Sequence, residues 1–362
     1  MRLRNLSSIV MLLLFLPCAE VRPQGKMPSL AGDQPGSSSA SEREMTFAGV
    51  GGLSLHGTLV LPAGLGGKVP GVLLLAGSGP TDRNGNAPSI VIDLLKQIAE
   101  RLAKDGYASL RFDKRATAGY AKSWPAEVAR QNDFFSWDSF VGDAKAALVC
   151  LQTQPEVEGK RVVVAGHSEG ATIAMQIARD LQGAANAPAG LILISAPGRT
   201  GDVILREQIT MGLRRNGVPA DQARLNADYV ELAINQIERD GTIPPNPPSG
   251  LGIEYLFPAS AAKLMRVEFG FDPTRVLPIY DGPVLVLQGE KDIQVSATRD
   301  TPLLDAALKG RKRGLYEVFI VPSASHNLKK VDNENVEPGL TGPVVPEALN
   351  KIAAWMKRTF PN

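Results

Sequence analysis

Ser168 is the residue of this chain best suited to covalent chemistry. It stands in R-V-V-V-A-G-H-S-E-G-A-T-I-A-M-Q-I-A-R-D-L-Q, residues 161–182, at the centre of a G-x-S-x-G frame. Such a frame sets a serine on a sharp strand-to-helix turn, its hydroxyl clear of the backbone and N–H groups converging on it. Gly166 and Gly170 are needed there because side chains would collide with the adjoining strand and helix. The five-residue pattern is weak by itself. A chain with 36 glycines in 362 residues yields on the order of 0.2 chance matches. The apolar strand before it, Val162 to Ala165, and the small-residue helix after it make the reading specific.

A serine hydroxyl is a poor nucleophile at neutral pH and needs a base within hydrogen-bond reach. The chain has three histidines. His167 adjoins Ser168 in a tight turn, which directs its side chain away from the hydroxyl. His56 falls in the first hairpin, L-H-G-T-L, away from the strand ends where open α/β sheets gather their sites. His326, in S-A-S-H-N-L, follows a strand over Tyr316 to Val321 and lies on the elbow's side of the sheet. His326 is therefore the expected base. It needs a carboxylate to fix its tautomer and stabilise the imidazolium. The loop G-E-K-D-I-Q-V after strand Val284 to Gln288 offers Glu290 and Asp292. Later positions of such a loop curl back over the strand end, which favours Asp292 and leaves Glu290 a solvated loop residue. Asp300 and Asp305 are expected as surface charges on the next helix.

These groups need a scaffold, and the patterning supplies one. Met45 to Val50 and Leu53 to Leu61 flank Gly51-Gly52, a hairpin signal. Val69 to Ala76 is an apolar strand ending in G-S-G-P-T-D-R-N-G-N, and Ile90 to Lys104 has helical periodicity. Tyr107 to Phe112 reads as a strand. Ser136 to Gln152 reads as a helix with Trp137, Phe140, Ala144, Ala147 and Leu148 on one face. The elbow follows, then a strand over Leu191 to Ser195. Residues 198–280 break the alternation with helical stretches and the connection T-I-P-P-N-P-P-S-G-L-G, which reads as an inserted helical cap. Strand Val284 to Gln288, a helix near Ala297 to Leu308, strand Tyr316 to Val321 and a closing helix Pro346 to Phe360 resume it. The expected fold class is α/β, a mainly parallel sheet flanked by helices. Residues 43–197 and 281–362 form its core.

The order Ser168, Asp292, His326 matches that of α/β-hydrolases, and the chain from about Glu44 onward resembles that superfamily. Within it the sequence is similar to bacterial exported serine esterases with a G-S-G-P-x-D-R segment after the third strand. The resemblance implies that the loop Ala76-Gly77-Ser78-Gly79 supplies half of an oxyanion hole. The N–H groups of Ser78 and Glu169 would then face the developing charge, where one donor is worth about 3–4 kcal/mol of barrier. Ala76 stands where many relatives have histidine; the donor is backbone, so its function does not depend on that side chain. Asp82 and Arg83 recur in the resembling esterases and could form an ion pair bracing this loop. Arg111-Phe112-Asp113-Lys114-Arg115 resembles the family's R-x-D-x-R-G segment, with Ala116 in the glycine's place. Both groups are expected to be structural.

Composition bounds the alternatives. A net charge of +2, with 44% hydrophobic and 21% charged residues, fits one large soluble domain with an insertion, or two modest ones. Without a basic excess the chain is not expected to bind nucleic acid. No metal site is expected from three scattered histidines, and no cofactor motif appears. Residues 1–20 have the layout of a secretory signal: Arg2 and Arg4, an apolar run from Ile9 to Leu16, then Pro17-Cys18-Ala19. A periplasmic or extracellular location is expected, with a lipid anchor at Cys18 as a variant and no stable membrane insertion otherwise. Residues 21–42, rich in Pro, Gly and Ser, read as a disordered spacer. Cys150, in A-A-L-V-C-L, is expected to be a buried helix residue, left without a disulfide partner once the signal is removed.

The expected function is a secreted serine hydrolase cleaving small-molecule carboxylic esters, with peptidase or thioesterase action on the same triad as the alternative. A peptidase taking free N-termini should aim acidic cap residues at an ammonium, and Glu207, Glu231, Glu238 and Glu254 are available. The apolar cap residues Ile204, Met211, Leu213, Leu232, Ile234, Leu256 and Phe257 can face the core or a pocket. Most must pack the cap down.

Overall fold

The computed structural model describes residues 40–88, 90–332 and 340–362. The signal segment, Cys18 and most of the spacer expected before Ser41 lie outside the described residues. Eight strands form one sheet: β1 (Ser41–Ala48), β2 (Ser54–Leu61), β3 (Val69–Leu75), β4 (Ala108–Phe112), β5 (Val157–His167), β6 (Gly190–Ile194), β7 (Val284–Gly289) and β8 (Tyr316–Val321). Their order is β1-β2-β4-β3-β5-β6-β7-β8. β2 runs antiparallel to both its neighbours, β1 and β4, with Ser41 opposite Leu61 and Gly57 opposite Phe112. From β4 to β8 every pairing is parallel. The first hairpin turns where the sequence suggests, because Gly51 and Gly52 both hold a φ above +70°, which side chains disfavour. Its first strand begins at Ser41, however, so the expected spacer boundary at residue 42 falls inside β1.

The continuous apolar runs are buried on both faces, as parallel strands must be. On β5, Val162 and Val164 join the core on one face while Val163 and Ala165 join the core on the other. The described helices are α1 (Leu94–Lys104), α2 (Val128–Phe134), α3 (Trp137–Gln152), α4 (Glu169–Asp180), α5 (Gly201–Arg215), α6 (Ala220–Asp240), α7 (Ala262–Gly270), α8 (Pro273–Val276), α9 (Thr301–Lys309) and α10 (Pro346–Thr359). Helices α3, α4 and α9 pack on the first face; α1 and α10 cover the second. Ser136 caps α3 by accepting the Ser139 N–H, and Trp137, Phe140, Ala144, Ala147 and Leu148 are all buried, as their spacing predicts. Cys150 on the same helix is half-buried rather than enclosed, and burial pushes its thiol pKa up.

Between β6 and β7 the chain leaves the sheet for α5, α6, α7 and α8. This insertion has an apolar cluster of its own, which includes Leu213, Ile234 and Phe257. Leu232 points outward and is 52% exposed. The root of the insertion is fixed by Asp300. Its carboxylate accepts the N–H groups of Gly198 and Arg199 and two bonds from the Arg199 guanidinium. Asp300 is thus fully buried at the start of α9, not the surface charge expected on that helix. Asp305 on α9 is half-buried.

The charged loops also differ from expectation in their partners. Arg83 pairs with Asp113 and Glu44, not with Asp82. Asp82 instead accepts the N–H groups of Asn84 and Asn86 and closes its own turn. Arg115 is buried and grips Asp143 through two bonds, of 2.7 and 2.6 Å. Both segments brace loops at the strand ends. Among the described residues no helix is long and apolar enough to cross a membrane.

Candidate active site

Ser168 sits between β5 and α4 at φ 55° and ψ −120°, a conformation that costs a non-glycine residue on the order of 1–3 kcal/mol. The two flanking glycines permit it. A Cβ on Gly166 would lie 2.1 Å from the Gly170 carbonyl oxygen, and one on Gly170 would lie 2.4 Å from that of Leu75. Backbone atoms cannot yield to such contacts. The Ser168 N–H donates to Ile194 O on β6 at 2.9 Å, which locks the elbow to the neighbouring strand.

His326 lies in the loop after β8, and its ring Nδ1 is 2.7 Å from Asp292 Oδ2. Both side chains are nearly inaccessible, at 6% and 0%. The Asp292 carboxylate is held from three more directions. Oδ1 accepts the N–H groups of Gln294 (2.8 Å) and Val295 (2.9 Å), and Oδ2 accepts Gln288 Nε2 at 2.7 Å. A carboxylate held in this way cannot swing, so the Nδ1 proton and the ring plane of His326 are fixed. Glu290 is exposed and accepts the Ser323 N–H at 2.8 Å, a loop brace with no contact to the imidazole.

His167 does more than point away. Its ring packs 4.7 Å from that of His326, and its Nε2–H donates to the His326 carbonyl at 3.0 Å. Ser195 Oγ donates to the same carbonyl at 2.7 Å. Burial, reinforced by the neighbouring imidazole, pushes the His167 pKa down to about 3. It is therefore neutral at working pH and acts as a fixed strut. His56, exposed on β2, stacks on Tyr120 and takes no part.

The loop Gly77-Ser78-Gly79 lies directly over the elbow: a Cβ on Gly77 would stand 3.3 Å from Ser168 Cβ. Lys114 Nζ (2.9 Å) and Thr81 Oγ1 (3.0 Å) both donate to Gly77 O. In a trans peptide the C=O and the following N–H point in opposite directions, so this grip turns the Ser78 N–H the other way. Glu169 opens α4, and first-turn N–H groups have no acceptor within the helix. Lys114 also ties the two segments together, because its Nζ reaches Glu169 Oε1 at 2.7 Å with both side chains buried. Sequence reasoning gave Lys114 only a structural role. Its partner is 55 residues away, a separation no local pattern reveals.

A cavity of about 210 Å³ opens over these groups. Gly77, Ser78, Ser168, Glu169 and His326 line its floor, and Ile204, Leu205, Leu256, Met265 and Phe269 of the insertion line the opposite wall. Of the acidic residues considered for that wall, Glu207 pairs with Arg199 and Arg299, Glu231 with Arg206, and Glu254 accepts the Gly250 N–H. Glu238 is exposed. The carboxyl that does line the cavity is Glu268 of α7. No group of three or more metal-ligating side chains lies among the described residues.

A serine on a strained turn, a buried Asp–His pair and a shared apolar cavity are parts that hydrolase families combine. The sequence pattern of the alpha/beta hydrolase family fits residues 69–328. The chain belongs to that family. An esterase of Pyrococcus furiosus shares the fold with 17% identity and a TM-score of 0.53, over 92% of this chain and 97% of its own. Est1E of Butyrivibrio proteoclasticus does so with 13% identity and a TM-score of 0.51, over 87% and 98%. A puromycin-hydrolysing peptidase of Mycobacterium tuberculosis aligns with 17% identity and a TM-score of 0.56, over 91% of this chain and 42% of its own. At these identities the likeness of this alpha/beta hydrolase to its neighbours is one of fold. Comparison with curated protein sequences gives no match.

Proposed function

We propose that this alpha/beta hydrolase is an exported serine carboxylesterase acting on short-chain esters through an acyl-enzyme. The observation that carries the reading is the 2.7 Å Asp292–His326 bond beside the Ser168 elbow, on one cavity. Ser168 Oγ attacks the ester carbonyl while His326 Nε2 takes its proton. The developing oxyanion receives the N–H groups of Ser78 and Glu169. As the tetrahedral intermediate collapses, His326 returns the proton to the leaving alcohol; water then repeats the sequence on the acyl-enzyme. Asp292 stabilises the imidazolium at each stage. The layout of residues 1–20 supports export, which cell fractionation of the full-length protein tests. A fluorophosphonate probe should label Ser168 and no other residue, as read by peptide mass. Labelling elsewhere, or none, overturns the assignment.

Lys114 grips the Gly77 carbonyl and the Glu169 side chain, beside the two N–H groups of the proposed oxyanion site. Replacing it by Met frees the Gly77 carbonyl and leaves Glu169 without its cation. We expect kcat to fall by about 10²–10³, as when one oxyanion donor is lost, with KM little changed. Turnover per titrated active site is the measurement, since it excludes unfolded protein.

The cavity sets an upper limit on acyl length, with the insertion as its roof. Ile204 and Leu256 face the cavity, whereas Leu213, Ile234 and Phe257 pack within the insertion. Each added methylene gains about 0.8 kcal/mol only while it stays inside. In a p-nitrophenyl series from acetate to palmitate, kcat/KM should peak below octanoate, with no jump at the critical micelle concentration. A peak at octanoate or longer would show a lipase instead.

A further inference from the structure

The mechanism uses the backbone of Glu169 but not its side chain, and it does not use Glu268. Glu169 is 3% exposed; one carboxylate oxygen is held by Lys114, and the other, Oε2, is buried with no donor against it. Glu268, on α7, lines the same cavity as Glu169, close enough for the Glu169 charge to act on its carboxyl. A like charge nearby disfavours the ionised form of a carboxyl. Burial, together with the Glu169 charge, pushes the Glu268 pKa well up. The Glu268 carboxyl therefore holds its proton more tightly than a free one. Gln208 gives the same cavity a further bare acceptor: its Nε2 donates to Gln294 O, and its buried Oε1 has no donor. The cations nearby are already committed. Arg199 is held by Asp300 and Glu207, and Lys114 by Gly77 O and Glu169.

A cavity whose polar wall offers acceptors, with a replaceable proton at its centre, suits a donor-rich cation. The geometry points to Glu169 and Glu268 as a subsite for a protonated amine carried by the substrate close to its scissile carbonyl. The inference rests on the esterase reading and names its substrate class: esters of amino-substituted acids. An ammonium entering the site takes the place of the Glu268 proton, which leaves to solvent as that carboxyl ionises. Glu207, Glu231, Glu238 and Glu254 are not needed for this.

The test compares alanine methyl ester with methyl isobutyrate, which puts a methyl where the ammonium stands. Relative to the ratio of the two esters' own hydroxide-catalysed rates, which removes the ammonium's inductive activation of the carbonyl, wild-type protein should show a preference for the ammonium ester in kcat/KM of roughly tenfold or more, the worth of a charge-assisted hydrogen bond. Glu268→Gln keeps the size and polarity of the protonated acid and removes only its ability to ionise, so the fold has no reason to fail. In that variant the preference should vanish. A wild type that treats the two esters alike, or a preference that survives Glu268→Gln, overturns the subsite. Calorimetric binding of the same pair to Ser168→Ala protein, with and without Glu268→Gln, separates this result from the esterase reading. If neither ester is turned over, the esterase reading falls. Tighter binding of the ammonium ester that depends on Glu268 still supports the subsite, and equal binding sinks it.

Discussion

Ser168→Ala lowers kcat on a neutral ester by roughly 10⁶, since loss of a triad nucleophile leaves only binding and oxyanion stabilisation to act. The fold should survive. Alanine occupies the same backbone angles as serine, φ 55° and ψ −120°, and the Ser168 N–H bond to Ile194 O does not involve the side chain. The measurements are kcat after active-site titration of the parent, and thermal unfolding of both proteins. Retention of more than a few per cent of activity would move the nucleophile elsewhere. Ser168→Gly separates strain from chemistry more sharply. It should be equally inactive yet more stable than the parent by about 1–3 kcal/mol, because glycine tolerates these angles.

Asp292→Asn should cost about 10⁴ in kcat. The loss follows from which atoms donate. Asp292 Oδ2 accepts from both His326 Nδ1 and Gln288 Nε2, while Oδ1 accepts two backbone N–H groups. An asparagine must place its NH₂ on one side of this ring of donors. Turned to His326, the NH₂ makes Nδ1 an acceptor and drives the ring proton to Nε2, where it blocks abstraction from Ser168. Turned to the loop, it faces the Gln294 and Val295 N–H groups and breaks the turn. Glu290→Gln keeps an acceptor for the Ser323 N–H and should stay close to wild type. A reversed ranking of the two variants would transfer the role to Glu290.

The parts that were legible in the sequence are those fixed by short-range rules. Gly166 and Gly170 declare the elbow because the collisions they avoid are with residues of the same turn or the adjacent strand. His326 could be reached by elimination, and Asp292 by its position in the loop after β7. What escaped are contacts between distant segments. Lys114 with Glu169, Glu268 with Glu169, and Asp300 with Arg199 join elements that the chain brings together only on folding. Each is a charged residue in a stretch that reads as solvated, and no periodicity distinguishes a buried partner from a surface charge. The Asp82–Arg83 expectation failed for a related reason. The resemblance implies a pair between two adjacent residues, whereas Arg83 reaches across to Asp113 and Glu44.

The helical insertion leaves the sheet after β6 and returns on β7, and those strands lie side by side, with Ile194 beside Leu287. The two ends of the insertion are therefore held together by the sheet, whatever lies between them. Closing a loop between fixed ends becomes only about 0.6 kcal/mol harder with each doubling of its length. The insertion also keeps an apolar cluster of its own, so its stability does not depend wholly on the sheet. Ser168, Asp292 and His326 all belong to the sheet and its loops, and Asp300 clamps the chain at Gly198 and Arg199, where it departs. Everything beyond that clamp is open to lengthening, shortening or wholesale exchange without disturbing the reacting atoms. In such a protein, what is cleaved and how it is cleaved can change independently of each other.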